Sequence, residues 1–109
     1  MAKKAIDAAS DKQAADIVLL DMRSVSSFAD YFIICSGESR RQLDAISDEV
    51  HRVLGDEGVA LQHQEGSVES GWILMDFGDV IIHIFAPPER EYYQLERLWS
   101  RATPLIRIQ

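Results

Sequence analysis

Trp72-Ile-Leu-Met-Asp-Phe-Gly-Asp-Val-Ile-Ile-His-Ile-Phe85 is the stretch of the chain that decides its fold. It predicts two β-strands joined by a two-residue turn at Gly78 and Asp79. Glycine suits the first central position of a type II′ turn, because that position requires a positive φ. A turn of this length also fixes the register, so Trp72 is predicted to lie opposite Phe85. The stretch therefore predicts an antiparallel hairpin whose two faces can be assigned residue by residue.

Side chains alternate across a strand, so the register divides the hairpin into two faces. One face is wholly apolar and is predicted to be core. Its members are Ile73, Met75, Phe77, Val80, Ile82 and Ile84. The other face combines aromatic rings with a carboxylate and an imidazole, which is typical of a recognition surface and rare in a core. Its members are Trp72, Leu74, Asp76, Ile81, His83 and Phe85.

The rest of the chain predicts an α/β order around this hairpin. The predicted elements are helices over 3–13, 39–57 and 89–102, strands over 16–22 and 30–36, and a weak edge strand over 59–64, with 65–71 as a polar loop. The hairpin must be antiparallel, whereas a strand–helix–strand link favours parallel pairing. We therefore predict a single domain over 1–109, with a mixed, mostly five-stranded sheet and flanking helices.

The second helix carries the clearest helical pattern. Ser39 followed by Gln42 three positions later resembles a capping box, which marks a helix start. Apolar residues then recur at spacings of three and four, as on one buried stripe of an amphipathic helix. The stripe consists of Leu43, Ile46, Val50, Val53 and Leu54.

The predicted last helix, over 89–102, carries two stripes of side chains. One is predicted to pack on the sheet, and the other is predicted to be free for a partner. The packing stripe consists of Tyr92, Leu95, Trp99 and Ala102. The free stripe consists of Arg90, Tyr93 and Glu96. Together with Trp72, Leu74, Asp76 and His83 of the hairpin, the free stripe forms the predicted partner-binding set.

Charge and composition restrict the kinds of partner. The 109 residues carry 18 acidic and 11 basic side chains, for a net charge of −7. Phosphate recognition needs clustered Lys and Arg, so we expect little direct nucleic-acid binding and a basic protein as partner. No apolar run approaches the roughly 20 residues of a membrane span, and no signal-peptide pattern is present. A single cysteine, Cys35, in an apolar run predicts a buried side chain in a reducing compartment, so we expect a cytoplasmic protein.

The chain offers little for catalysis, and we expect no cofactor and no metal. Ser36-Gly37 ends a strand before a helix, but no phosphate-binding glycine motif follows. Asp76, Asp79 and His83 are explained as a turn residue and two polar strand positions. The main alternative is a divergent nucleotidyltransferase that would hold magnesium on Asp76 and Asp79, although such enzymes need a spaced aspartate pair after the Ser36-Gly37 turn.

Six segments stand in an order and spacing that resemble one known family. They are Asp16-Ile-Val-Leu-Leu-Asp21, Asp30-Tyr-Phe32, Ser36-Gly-Glu-Ser39, Glu65-Gly66, 72–85 and 90–99. No single segment is diagnostic, but jointly they resemble the ribosomal silencing factor family, also called the iojap family. The resemblance covers nearly the whole chain.

The resemblance implies a nucleotidyltransferase-like fold without transferase activity. It also implies docking on large-subunit ribosomal protein fourteen, which sterically blocks joining of the small subunit and represses translation when nutrients are short. The family's interaction region is associated with the tryptophan-bearing strand, which here means Trp72 and its neighbours on the same face. An exposed aromatic face also favours self-association, so a homodimer is a further possible assembly.

Overall fold

The structure is a computed structural model that describes residues 1–27, 29–94 and 103–108. Its elements are α1 (Ala2–Asp11), β1 (Ala15–Asp21), β2 (Tyr31–Ser36), α2 (Arg40–Asp56), β3 (His63–Ser67), β4 (Trp72–Asp76), β5 (Val80–Phe85), α3 (Pro87–Tyr93) and β6 (Thr103–Ile108). The strands form one sheet in the order β3-β4-β5-β2-β1-β6. β2 and β5 pair in parallel, whereas every other neighbouring pair is antiparallel. The predicted α/β class with a mixed sheet is confirmed.

The hairpin has the register that its turn predicts. Trp72 pairs with Phe85, and the pairing continues without a shift to Asp76 and Ile81. Gly78 adopts a φ of +93°, which its missing side chain permits. The local turn chemistry was therefore sufficient to set the pairing of β4 with β5.

The predicted number of strands was wrong, because the described residues include a sixth strand. β6 pairs antiparallel with β1, with Thr103 opposite Asp21 and Ile108 opposite Ile17. Pro104 follows the predicted last helix, where a proline is typical of a helix end, but proline is also tolerated on an edge strand, where its missing N–H is not needed. β6 is an edge of the sheet, so the proline is compatible with its position.

The last helix begins and ends at residues other than those predicted. α3 begins at Pro87, because proline fits the first turn of a helix, where the N–H has no partner within the helix. It ends at Tyr93, and Gln94 follows in the left-handed conformation with a φ of +46°. The remainder of the predicted helix, including Leu95, Glu96, Trp99 and Ala102, lies outside the described residues.

The apolar face of the hairpin is core, as predicted. Its six members are all buried in one cluster with α1 and α2, which cover this face of the sheet. α2 lies within one residue of its predicted bounds, and the Ser39 hydroxyl accepts a hydrogen bond from the Gln42 N–H at 3.1 Å. Four residues of the predicted stripe are buried, and Val53 packs at its border. The periodicity of this helix therefore identified its buried side correctly.

β3 lies at the other edge of the sheet, four residues later than the predicted edge strand. All five of its residues are exposed, so no alternation of apolar side chains marks its bounds. Gly66 within it adopts a φ of +80°, and a Cβ there would lie 1.9 Å from the Trp72 carbonyl oxygen. The segment predicted as a loop thus contributes the end of a strand, and Gly66 permits its close approach to β4.

Candidate functional site

Five ring side chains meet on the sheet face opposite α1 and α2, and we call them the aromatic cluster. β4 and β5 place Trp72, His83 and Phe85 side by side, with ring planes within 7° of one another. Tyr93 of α3 contacts Trp72 and Phe85 at centroid distances of 5.4 and 5.9 Å. Phe32 of β2 contacts His83 at 4.9 Å. The cluster therefore joins two hairpin strands, a central strand and a helix, with Phe32, His83 and Phe85 buried and Trp72 and Tyr93 partly exposed.

Trp72 and His83 are also joined by a hydrogen bond. The Trp72 Nε1–H donates to His83 Nδ1 at 3.2 Å. His83 is 5% exposed, and burial lowers its pKa to about 4. The imidazole is therefore neutral near pH 7, which leaves a lone pair on Nδ1 to accept the hydrogen bond from the indole N–H.

The predicted partner-binding face is only partly open. Trp72, Leu74 and Asp76 are half-buried, but His83 is buried, so the prediction of a recognition role by direct exposure was wrong for His83. Its neighbours on β2 and β5 cover it, which sequence alternation alone could not show. The Asp76 carboxylate accepts the Gly78 N–H at 2.8 Å and thus stabilises the hairpin turn.

The two tyrosines of α3 pack differently from their prediction. Tyr92 is 82% exposed and does not pack on the sheet, whereas Tyr93 packs on Trp72 and Phe85. Tyr93 remains 42% exposed, and Tyr92 meets it edge to face at 5.1 Å. The prediction assumed one helix from residue 89 through residue 102, whereas α3 begins at Pro87 and ends at Tyr93. Tyr92 is thus a candidate contact residue that the sequence pattern assigned to the core.

Arg90 has a structural role that the sequence did not indicate. Its Nη1 donates to the Asp16 carbonyl at 2.7 Å and to the Ser36 hydroxyl at 2.9 Å. Its side chain is only 11% exposed, and the Asp16 carboxylate lies 3.6 Å from Nη2. Through these contacts Arg90 links α3 to the start of β1 and the end of β2. The prediction that the Arg90 side chain is free for a partner was therefore wrong.

The net charge of the protein is concentrated in one segment of the chain, which contains Trp72, His83, Phe85 and Tyr93. Residues 56–93 contain eight carboxylates and a single arginine, Arg90, which gives this segment a net charge of −7. The other residues contain ten acidic and ten basic side chains and are neutral overall. The segment contains β3, β4, β5 and α3, so this half of the sheet, with the turns and the helix beside it, belongs to the acidic part of the chain. Such a surface favours a basic partner.

The described residues offer no arrangement with an obvious catalytic role. Among them, no group of three or more His, Cys, Asp or Glu side chains is placed to hold a metal ion. Cys35 is buried, and desolvation raises its pKa to about 12, so its thiol is not an activated nucleophile. No helix in the described part of the chain has the length and apolarity to cross a membrane.

Comparisons with known proteins give one consistent match. Residues 1–109 match the family model RsfS, described as "Ribosomal silencing factor during starvation". The chain is 45% identical over 100 residues to the Ribosomal silencing factor RsfS of Bacillus subtilis, covering 92% of this chain and 85% of that protein. It is 40% identical over 105 residues to the protein of the same name from Halalkalibacterium halodurans, covering 96% of this chain and 89% of that protein.

More distant and structural matches agree with these. A crystal structure of a Chromobacterium violaceum protein superposes with a TM-score of 0.87 at 36% identity, covering 91% of this chain and 82% of that one. A mouse protein named Mitochondrial assembly of ribosomal large subunit protein 1 is 33% identical over 92 residues, which is 82% of this chain and 40% of that protein.

Proposed function

Because this chain belongs to the family of ribosomal silencing factors, we propose that it binds large-subunit ribosomal protein fourteen and sterically blocks joining of the small subunit. The family is named for a ribosome-associated regulatory role and not for an enzymatic one. The proposed result of binding is repression of translation when nutrients are limiting, in the cytoplasm. The name of the mouse relative supports the large subunit as the binding partner.

The aromatic cluster is the observation that carries this proposal. Trp72 is half-buried, Tyr93 is partly exposed, and Tyr92 is almost fully exposed beside it. Tryptophan and tyrosine are enriched at the energetically dominant positions of protein interfaces. Exposed rings of this size have no role in the core, so a partner that covers them gains apolar contact.

The acidic half of the sheet indicates what kind of partner fits. Residues 56–93 carry the whole net charge of −7. Ribosomal RNA would be repelled by this surface, whereas a basic ribosomal protein would be attracted. The charge therefore supports contact with a protein of the large subunit and disfavours direct contact with RNA.

Co-sedimentation with separated ribosomal subunits at moderate salt tests the proposal. We expect binding to free large subunits and none to small subunits. Tyr92→Ala should weaken that binding about tenfold, because it removes an exposed aromatic contact. His51→Ala is the matched control, since it removes an exposed ring from α2 on the opposite side of the sheet. Equal affinity of all three proteins for the large subunit would exclude Tyr92 as a contact residue, and no binding at all would exclude the proposed function.

A further inference from the structure

We propose that His83 is a positioning residue of the aromatic cluster, whose Nδ1 holds the Trp72 indole in the orientation that a partner meets. The hydrogen bond is inferred from the positions of the two rings and does not depend on the proposed function. Its consequence for binding rests on the proposed function, because Trp72 must then belong to the contact surface.

The geometry of the two rings suits this role. An indole N–H and the lone pair of an imidazole nitrogen both lie in the planes of their rings. The Trp72 and His83 planes are within 7° of each other, their centroids are 6.1 Å apart, and the hydrogen bond joins Nε1 to Nδ1 at 3.2 Å. Phe85 continues the same layer, with its plane 6° from that of Trp72. The bond thus fixes the indole within a layer of three nearly parallel rings.

Packing alone does not account for a histidine at this position. Nδ1 accepts a hydrogen bond from the Trp72 Nε1–H, so the proton of the neutral imidazole is on Nε2. Nε2 is buried and has no hydrogen-bond partner among the described residues. A buried N–H without a partner is unfavourable, and Phe or Leu would fill the same space without that cost. The accepted hydrogen bond from Trp72 is therefore the contribution that distinguishes His83 from an apolar side chain.

A fixed indole helps a partner to bind. Trp72 is half-buried, and Tyr93 lies against its ring at 5.4 Å. An aromatic anchor that is already held in one orientation loses less conformational freedom when a partner covers it. His83 thus acts on binding through Trp72, without touching the partner itself.

Two substitutions at residue 83 separate positioning from packing. His83→Phe keeps a ring but removes the acceptor, whereas His83→Asn keeps an acceptor near the position of Nδ1. The NMR signal of the Trp72 indole N–H reports the bond directly, and Trp72→Phe assigns it, because the chain has two tryptophans. We expect His83→Phe to shift this signal towards that of an unbonded indole, and His83→Asn to leave it in the bonded range. An unchanged signal in His83→Phe would overturn the proposed bond.

Binding to purified large subunits then tests the consequence. We expect His83→Phe to unfold at a denaturant midpoint close to that of the parent protein but to bind about fivefold more weakly, the effect of one hydrogen bond. His83→Asn should recover most of the affinity. Equal affinity of the parent and His83→Phe, with the indole signal shifted, would overturn the positioning role. A parent protein that does not bind large subunits would reject the proposed function, and the indole signal would still decide whether His83 orients Trp72.

Discussion

Trp72 and Ile82 lie on neighbouring strands, and their side chains point to opposite faces of the sheet. We expect Trp72→Ala to weaken large-subunit binding by about 2 kcal/mol or more, as loss of an aromatic anchor does. Ile82 is fully buried, so we expect Ile82→Ala to lower the free energy of unfolding by about 2–5 kcal/mol. Thermal melts and subunit pull-downs on both variants measure the two effects. If Trp72→Ala unfolded the protein and Ile82→Ala affected only binding, the functional assignment of the two faces would be reversed.

His83 makes stability depend on pH. Its pKa is lowered by burial from 6.5 to about 4 in the folded protein. Between about pH 4 and pH 6.5 the unfolded chain binds more protons at His83 than the folded protein does. The contribution of His83 to the free energy of unfolding is therefore fully present above about pH 6.5 and is lost as the pH falls towards 4. We expect the parent to lose about 2 kcal/mol more than His83→Phe between about pH 7 and pH 4.5. Urea unfolding at both pH values measures this difference, and parallel losses in the two proteins would contradict it.

Arg90 shows why part of the site could not be predicted from the sequence. Trp72 was identified because its strand, turn and partner strand are adjacent in the chain. The contacts of Arg90 to Asp16 and Ser36 join residues 74 and 54 positions apart. On a helix, an arginine is ordinarily a solvated side chain, and only the packing of α3 against the sheet turns it inward.

Two glycines provide a matched test of the elements that contain them. Gly66 in β3 adopts a φ of +80°, and an added Cβ would collide with the Trp72 carbonyl oxygen. Gly55 in α2 has nothing within 4 Å of an added Cβ. We expect Gly66→Ala to lower the free energy of unfolding by about 1–3 kcal/mol or more. Gly55→Ala should raise it by about 0.5–1 kcal/mol, because alanine favours helix. Denaturant unfolding distinguishes them, and a neutral Gly66→Ala would contradict the close approach of β3 to β4.

The elements that were predicted well have strong local signals. The hairpin carries a two-residue turn and strict alternation, and α2 carries a cap and an apolar stripe. The two edges of the sheet lack such signals. β3 is exposed on both faces, and β6 contains Pro104, which is also typical of a helix end. The bounds of both strands follow from their pairing in the assembled sheet, which for β6 is with the distant β1.

At the scale of the whole molecule, the proposed steric mechanism predicts that the order of addition matters. Protein added to free large subunits should reduce the amount of joined ribosomes formed when small subunits follow, because both compete for one surface. When the protein is added after joining, the small subunit already covers that surface of the large subunit, so we expect the protein to remain unbound. Sucrose-gradient profiles of the two orders measure the effect. Equal association with large subunits and with joined ribosomes would contradict a steric block.

The unequal distribution of charge between the two halves of the sheet also affects how the molecule moves before any contact. The excess negative charge of residues 56–93 is unevenly distributed over the molecule, and an uneven distribution of charge has a dipole moment. In the field of a basic surface, a dipole experiences a torque as well as an attraction, so the molecule turns its acidic side forward while it diffuses. The aromatic cluster belongs to that side. A larger fraction of encounters then leads to binding. Because added salt screens this field, we expect it to lower the association rate constant more than it raises the dissociation rate constant.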